Sequence, residues 1–209
     1  AGTSRLTGHW VPAHLKTEKT AGCRMGFLAK DSSTGHIVGF PADEAIPECR
    51  GAPVLALDLE NSPASLWMGG FPMADVCRAE VVGQFLASTH EVYAKRFSDE
   101  FGASIRYVFT DEPETGTTEE GFYMSWEFLN AFRAEHGYSL ESRLADLCAS
   151  GGDSAAVRHD YFFTLNRVFT ENFSRAVSEW SERHGLKFTG HFLENMWPLP
   201  IGSPSTMAV

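Results

Sequence analysis

Ser104-Ile105-Arg106-Tyr107-Val108-Phe109-Thr110-Asp111-Glu112-Pro113 is the stretch on which the fold turns. Up to Thr110 it is rich in β-branched and aromatic residues. It is entered past Gly102 and left through two acids and a proline, so it reads as a short buried strand. Upstream, Val82, Phe85, Leu86, Thr89, Val92, Tyr93 and Phe97 recur at three- and four-residue steps with charges between them. That spacing predicts an amphipathic helix over about 74–101. Further upstream, Pro53-Val54-Leu55-Ala56-Leu57-Asp58-Leu59 is a compact apolar run behind a Gly/Pro boundary, a second buried strand. Downstream, residues 123–136 and about 140–149 predict two short helices parted by Gly137. Asp153 is placed to cap a long helix carrying Val157, Tyr161, Leu165, Val168, Phe169, Phe173, Val177 and Trp180, which ends before Gly185. Lys187-Phe188-Thr189-Gly190-His191 predicts a third strand.

Ahead of these elements, residues 1–22 show no period and read as loop. Two apolar runs, Met25–Lys30 and His36–Phe40, flank a Ser/Gly/Asp turn and predict a hairpin. The division is therefore 1–52 as a loop-and-hairpin segment and 53–209 as part of a catalytic domain. Strands alternating with helices imply parallel strands and crossover helices. The expected fold is α/β, a partial (β/α)8 TIM-type barrel with an N-terminal β-hairpin. Its strands near 53–59, 104–110 and 186–191 would be parallel neighbours in one curved sheet, under the helices at 74–101 and 154–184. Three such strands do not close an eight-stranded barrel. An open doubly wound sheet is the alternative, but the glycine-rich phosphate turn of its nucleotide-binding members is absent from the sequence.

The formal net charge of -10 argues against a nucleic-acid partner, which requires a basic face. No run approaches the ~20 apolar residues of a membrane helix, and no signal peptide is visible. Cys23, Cys49, Cys77 and Cys148 are scattered, without the C-x-x-C spacing of a metal knuckle or redox motif. H-E-x-x-H, G-x-S-x-G and P-loop motifs are also absent. Aromatics make up 12% of the chain, which suits a sugar-binding protein and equally a large core. The start at Ala1-Gly2 and the end at Met207-Ala208-Val209 read as cuts from a longer chain, so a larger parent is an expected partner.

Parallel α/β folds bind ligands at the C-terminal ends of their strands. Those ends carry Asp58 and Glu60 on the first strand, Asp111 and Glu112 on the second, and His191 and Glu194 on the third. Glycoside cleavage needs two carboxyl groups across one bond, one protonated and one ionised. Glu112 follows an apolar strand directly and precedes the rigid Pro113, so it is the candidate general acid, with Glu194 as the second carboxylate. Asp58, Glu60, Asp111 and His191 are candidate sugar contacts. Trp126 and Trp197 lie beyond strand ends, where their faces can stack on sugar rings. The ordinary alternative for any strand-end acid is a helix cap or a solvated loop charge, and Trp180, on a helical stripe, belongs to the core.

The run Phe109–Glu114, then Trp126-Glu127-Phe128-Leu129, Phe132-Arg133-Ala134-Glu135-His136-Gly137-Tyr138, Arg158-His159-Asp160-Tyr161 and Trp180–Gly185 leading into Thr189-Gly190-His191, resembles the α-L-rhamnosidases of glycoside hydrolase family 106. The likeness extends over about residues 53–197. It implies a β/α barrel core, inverting hydrolysis of terminal α-L-rhamnose, a calcium ion near the sugar, a secreted or periplasmic location and a much larger multidomain parent. The segment Ser62–Cys77 departs from the pattern in length and irregularity. A retaining barrel glycosidase and a non-catalytic carbohydrate-binding remnant are the alternative functions.

Overall fold

The computed structural model describes residues 4–12, 23–30, 37–41, 53–113, 115, 121–148 and 151–191. The chain divides into two compact units, one of Ser4–Pro72 with Thr117–Thr164, the other of Met73–Gly116 with Ala1–Thr3 and Leu165–Val209.

The first unit is built on an open antiparallel sheet of β1 (Ser4–Pro12), β2 (Cys23–Lys30), β3 (Ile37–Pro41), β4 (Pro53–Asn61) and a short strand at Gly121–Tyr123, in the order β3-β2-β4-β1 and then the short strand. The expected hairpin is present, with β2 and β3 in register from Gly26↔Pro41 to Lys30↔Ile37. The expected loop over 1–22 is not: residues 4–12 form β1, paired with β4 along its whole length, while 13–22 lie outside the described residues. Leu6, Met25, Phe27, Leu28, Ala56 and Leu57 are buried on the sheet. The α-helices of this unit among the described residues are α3 (Trp126–His136), α4 (Leu144–Cys148) and the first part of α5 (Ser154–Phe169), numbered after α1 and α2 below. Ser125 starts α3 by accepting a hydrogen bond from Phe128 N at 3.1 Å. Gly137 ends it at φ 74°, its N–H on Arg133 O. Between these caps Phe128, Leu129 and Phe132 are buried, each such ring or leucine contributing about 1.5–3 kcal/mol. Tyr161 of α5 packs edge-on against Phe128 and donates to Tyr123 O at 2.8 Å.

The second unit holds α1 (Ala79–Phe85), a wide π turn at Leu86–His90 and α2 (Glu91–Phe97) in one continuous helical run. It also holds β5 (Tyr107–Asp111) and, with the short strand counted as β6, β7 (Lys187–His191). The end of α5, a second π turn at Thr170–Arg175 and α6 (Ala176–Arg183) complete it. Strands β5 and β7 pair in parallel, from Tyr107↔Lys187 to Asp111↔His191. Gly190 lets them approach: at its φ of 143° an added Cβ would stand 2.1 Å from Thr110 O. Ala94, Trp180 and Leu186 form the buried centre, with Leu86, Phe101, Ile105 and Val108 packed around them.

The partial TIM barrel is therefore corrected. Of its three expected strands, the second and third are parallel neighbours, but Pro53–Asn61 lies in the antiparallel sheet of the other unit. The physical reason is that an apolar run fixes burial on both faces and says nothing of strand direction, and β4 is buried on both faces at Ala56, Leu57 and Asp58.

Candidate functional site

The second unit carries an open aromatic cleft of about 480 Å³. One wall comes from the helical run, where Phe85, Thr89 and Tyr93 succeed one another at four-residue steps and so share a face. The other wall is Tyr107, Val108 and Phe109 of β5, with Phe101 and Ile105 leading into it and Trp180 and Leu186 beneath. Tyr93, Tyr107 and Phe109 are 61%, 57% and 61% exposed. Among the described residues no Asp, Glu, Lys or Arg lines the cleft; its polar groups are the Thr89 hydroxyl, the His90 ring and the tyrosine hydroxyls. A concave, mostly apolar pocket with few polar groups is the usual form of a small-molecule site.

The cleft floor is held by contacts around Trp180. Its Nε1 donates to Glu91 Oε1 at 2.7 Å. The His184 ring stacks on it at 4.0 Å and shares a hydrogen bond between Nδ1 and Trp180 O at 2.8 Å. His90 meets Trp180 and Phe85 edge-on at 4.9 and 5.1 Å. Burial among these rings pulls the His90 pKa below that of a free imidazole, against a smaller opposing pull from Glu91.

The sequence candidates are dispersed. Asp58 is fully buried in the five-stranded sheet, where Arg24 grips it through Nε and, at 3.3 Å, through Nη2. Glu60 follows it on β4, half-buried. Trp126 is the first residue of α3, 53% exposed. Asp111 and Glu112 are exposed at the end of β5. Glu112 is the one non-glycine residue with positive φ among the described residues, at 47°, ahead of a proline that ordinarily holds its predecessor extended. The backbone of His191 is in register with Asp111. Glu194 and Trp197 lie outside the described residues. The structure thus brings Asp111, Glu112 and the His191 backbone to one strand end, and places Asp58, Glu60 and Trp126 in the other unit. Sequence reading missed the cleft: Phe85 and Tyr93 were assigned to the core-facing stripe. The available signal was the alternation of Tyr107 and Phe109, which commits two rings to one face of β5.

This arrangement overturns the glycoside hydrolase assignment, in both its inverting and retaining forms. Neither a catalytic barrel nor a paired-carboxylate site can be identified among the described residues. The general-acid role expected of Glu112 depended on that assignment, and Glu194, expected opposite it, lies outside the described residues. Among the described residues no group of three or more His, Cys, Asp or Glu side chains could hold a metal ion, so calcium remains an implication of the resemblance and enters no step here. No described helix is long and apolar enough to cross a membrane.

The segments that carried the family resemblance form a link between helices. Thr164 of α5 donates to Glu135 Oε2 at 2.8 Å, so its oxygen accepts from His136 Nε2, also at 2.8 Å. His136 Nδ1 stands 3.6 Å from Asp160, and Tyr138 donates to the same carboxylate at 2.9 Å. The order Thr164–His136–Asp160 mimics a nucleophile, base and orienting acid. However, Thr164 is fully buried and its proton is committed to Glu135. The group joins the end of α3 to α5.

The molecule is thus a mixed α/β protein with an open antiparallel sheet in one unit and a parallel strand pair beside an aromatic cleft in the other. Its fold is similar to part of a solved rhamnosidase from Novosphingobium sp. PP1Y, with a TM-score of 0.52 and 21% identity over 85% of this chain and 18% of that one. The chain spans less than a fifth of that protein's length. No family model matches the chain, and no curated protein matches it.

Proposed function

We propose that this chain is a carbohydrate-binding segment of a larger protein, and that the aromatic cleft holds a neutral sugar ring. The cleft itself carries this reading. Its open aromatic walls suit the C–H face of a pyranose, and its few hydroxyl and imidazole groups suit sugar hydroxyls. The absence of Asp, Glu, Lys and Arg from its lining among the described residues disfavours an ionic ligand. The resemblance to family 106 and the fold shared with part of a rhamnosidase support a sugar as the ligand class and L-rhamnose as the first to try. Hydrolysis forms no part of the proposal, because among the described residues no carboxyl group lines the cleft to donate a proton.

Calorimetric or NMR titration with L-rhamnose, D-glucose and D-galactose tests the proposal. At least one should bind, and Tyr93→Ala and Tyr107→Ala should each weaken it by about 2- to 10-fold, the worth of one aromatic contact. Absence of binding by all three sugars, or binding that survives the double variant, would overturn it.

A further inference from the structure

His90 is the polar residue of the cleft whose hydrogen-bonding state can be worked out from its neighbours. Thr89 Oγ1 lies 2.6 Å from Phe85 O, one turn back along the helix. Two oxygens that close require a proton between them, and a backbone carbonyl has none to give, so the Thr89 hydroxyl donates to Phe85 O. The same Oγ1 lies 2.9 Å from His90 Nδ1. With its single proton committed, Thr89 can only accept there, and Nδ1 must carry the hydrogen. In the neutral ring Nε2 is then a bare lone pair. Nε2 has no hydrogen-bond partner among the described residues, and the ring lines the cleft.

We infer that His90 Nε2 is the cleft's hydrogen-bond acceptor for a ligand hydroxyl, so that the site selects a neutral ring molecule with an apolar face and a hydroxyl donor. This rests on the proposed binding role of the cleft and adds the group that orients the ligand. Protonation would reverse the direction of this contact, because an imidazolium presents Nε2–H and a ligand hydroxyl can then only accept from it. The titratable groups around His90 are Glu91 on its own helix, His184 against Trp180 on α6, and the Tyr93 and Tyr107 hydroxyls of the cleft walls. The Glu91 carboxylate is taken up by Trp180 Nε1. Burial keeps His90 neutral to lower pH than a free imidazole, so the acceptor persists through neutral pH.

The test uses the whole chain and two probes, L-rhamnose and phenol; phenol carries an aromatic face and one hydroxyl without being a sugar. Long-range ¹H–¹⁵N spectra of the histidine rings should show His90 in the Nδ1–H form. His90→Phe keeps a ring between Phe85 and Trp180 but removes the acceptor. It should weaken the probe that binds by about 3- to 10-fold and abolish the change in binding expected of the unaltered protein when acid protonates His90. Rhamnose binding that is equal in His90→Phe at every pH would overturn the inference while leaving the sugar site standing. Phenol binding with the expected His90 dependence, but no sugar binding, would uphold the inference and sink the carbohydrate reading. An Nε2–H tautomer, or failure of both probes to bind, would overturn the inference.

Discussion

At Asp160, burial works to raise the carboxyl pKa, but hydrogen bonds from His159 and Tyr138 and the nearby His136 outweigh it and hold it below the ordinary range. The partner Tyr138 is pushed up to about 12, by burial first and then by its bond to Asp160. A depressed carboxyl contributes stability that is present above its unfolded pKa of ~3.9 and is lost as pH falls through the folded value. A raised phenol contributes stability that is present below ~10 and is lost at higher pH. Tyr138→Phe should therefore cost about 1 kcal/mol near neutrality, a modest figure because the pair is partly exposed to solvent. The variant should also lose less stability than the unaltered chain both below pH ~4 and above pH ~10, as read from urea midpoints. Equal pH profiles would remove the Tyr138–Asp160 bond from the account. Cys148 poses a separate question at this scale. Burial pushes its thiol up to about 11, against a smaller pull from Arg158. Since the thiolate is the reactive form, Cys148 should resist a disulfide reagent at pH 8 in the folded chain and react once urea unfolds it. Rapid labelling of the half-buried Cys148 in the native state would contradict its raised thiol pKa.

Among the elements, β7 approaches β5 closely at Gly190. An added methyl there meets Thr110 O at 2.1 Å and Thr110 N at 2.8 Å, both backbone atoms that cannot rotate away. Gly190→Ala should force the parallel pair apart and destabilise the second unit by about 1–3 kcal/mol. Gly39→Ala, whose methyl meets the Ala145 Cβ at 3.3 Å, is the milder control. A Gly190→Ala chain as stable as the control would mean that β5 and β7 do not pair in the register seen. These elements also show what the sequence discloses. The helices over 79–97 and 154–183 were legible because their apolar stripes are local and periodic, although the sequence placed the first of them a turn early. The hairpin β2–β3 and the strands β5 and β7 were legible from short apolar runs between turn residues. The strand β1 was not, because its partner β4 lies far along the chain and no local pattern announces a pairing at that distance. The direction of β4 was hidden for a related reason: burial on both faces is common to parallel strands and to a covered antiparallel sheet. The π turns at Leu86–His90 and Thr170–Arg175 were invisible, since one extra residue per turn barely disturbs a stripe. The first of them contains Thr89 and His90, whose contact depends on side-chain rotamers that residue spacing does not disclose.

For the whole molecule, two surface properties compete in solution. The chain carries a net charge of -10, which repels other copies. It also displays large apolar side chains: Leu66 and Trp67 are 97% and 90% exposed, with Phe71 close behind. These sit on a closed turn rather than a loose tail. Ser65 N and Gly70 N bond across it to Phe71 O and Ser65 O at 3.1 and 2.8 Å, and Ser65 Oγ accepts from Trp67 N. A fixed apolar projection gives up little conformational freedom when it is covered, so its contribution to association is nearly undiminished by ordering. No charged residue lies between Glu60 and Asp75, so like-charge repulsion is weakest there. Raising salt from 0.01 to 0.5 M shortens the Debye length from ~30 Å to less than ~10 Å, which screens the net charge and leaves apolar contact untouched. Self-association should therefore rise with salt, and should rise again near the sequence pI of about 5.2 where the charge vanishes. Trp67→Ser with Leu66→Ser should suppress both increases without altering the melting temperature, because neither side chain is packed against the core. Sedimentation velocity across the salt series reads the outcome. Association that falls with salt would assign it to charge contacts, and an unchanged response in the double variant would move the adhesive surface away from this turn.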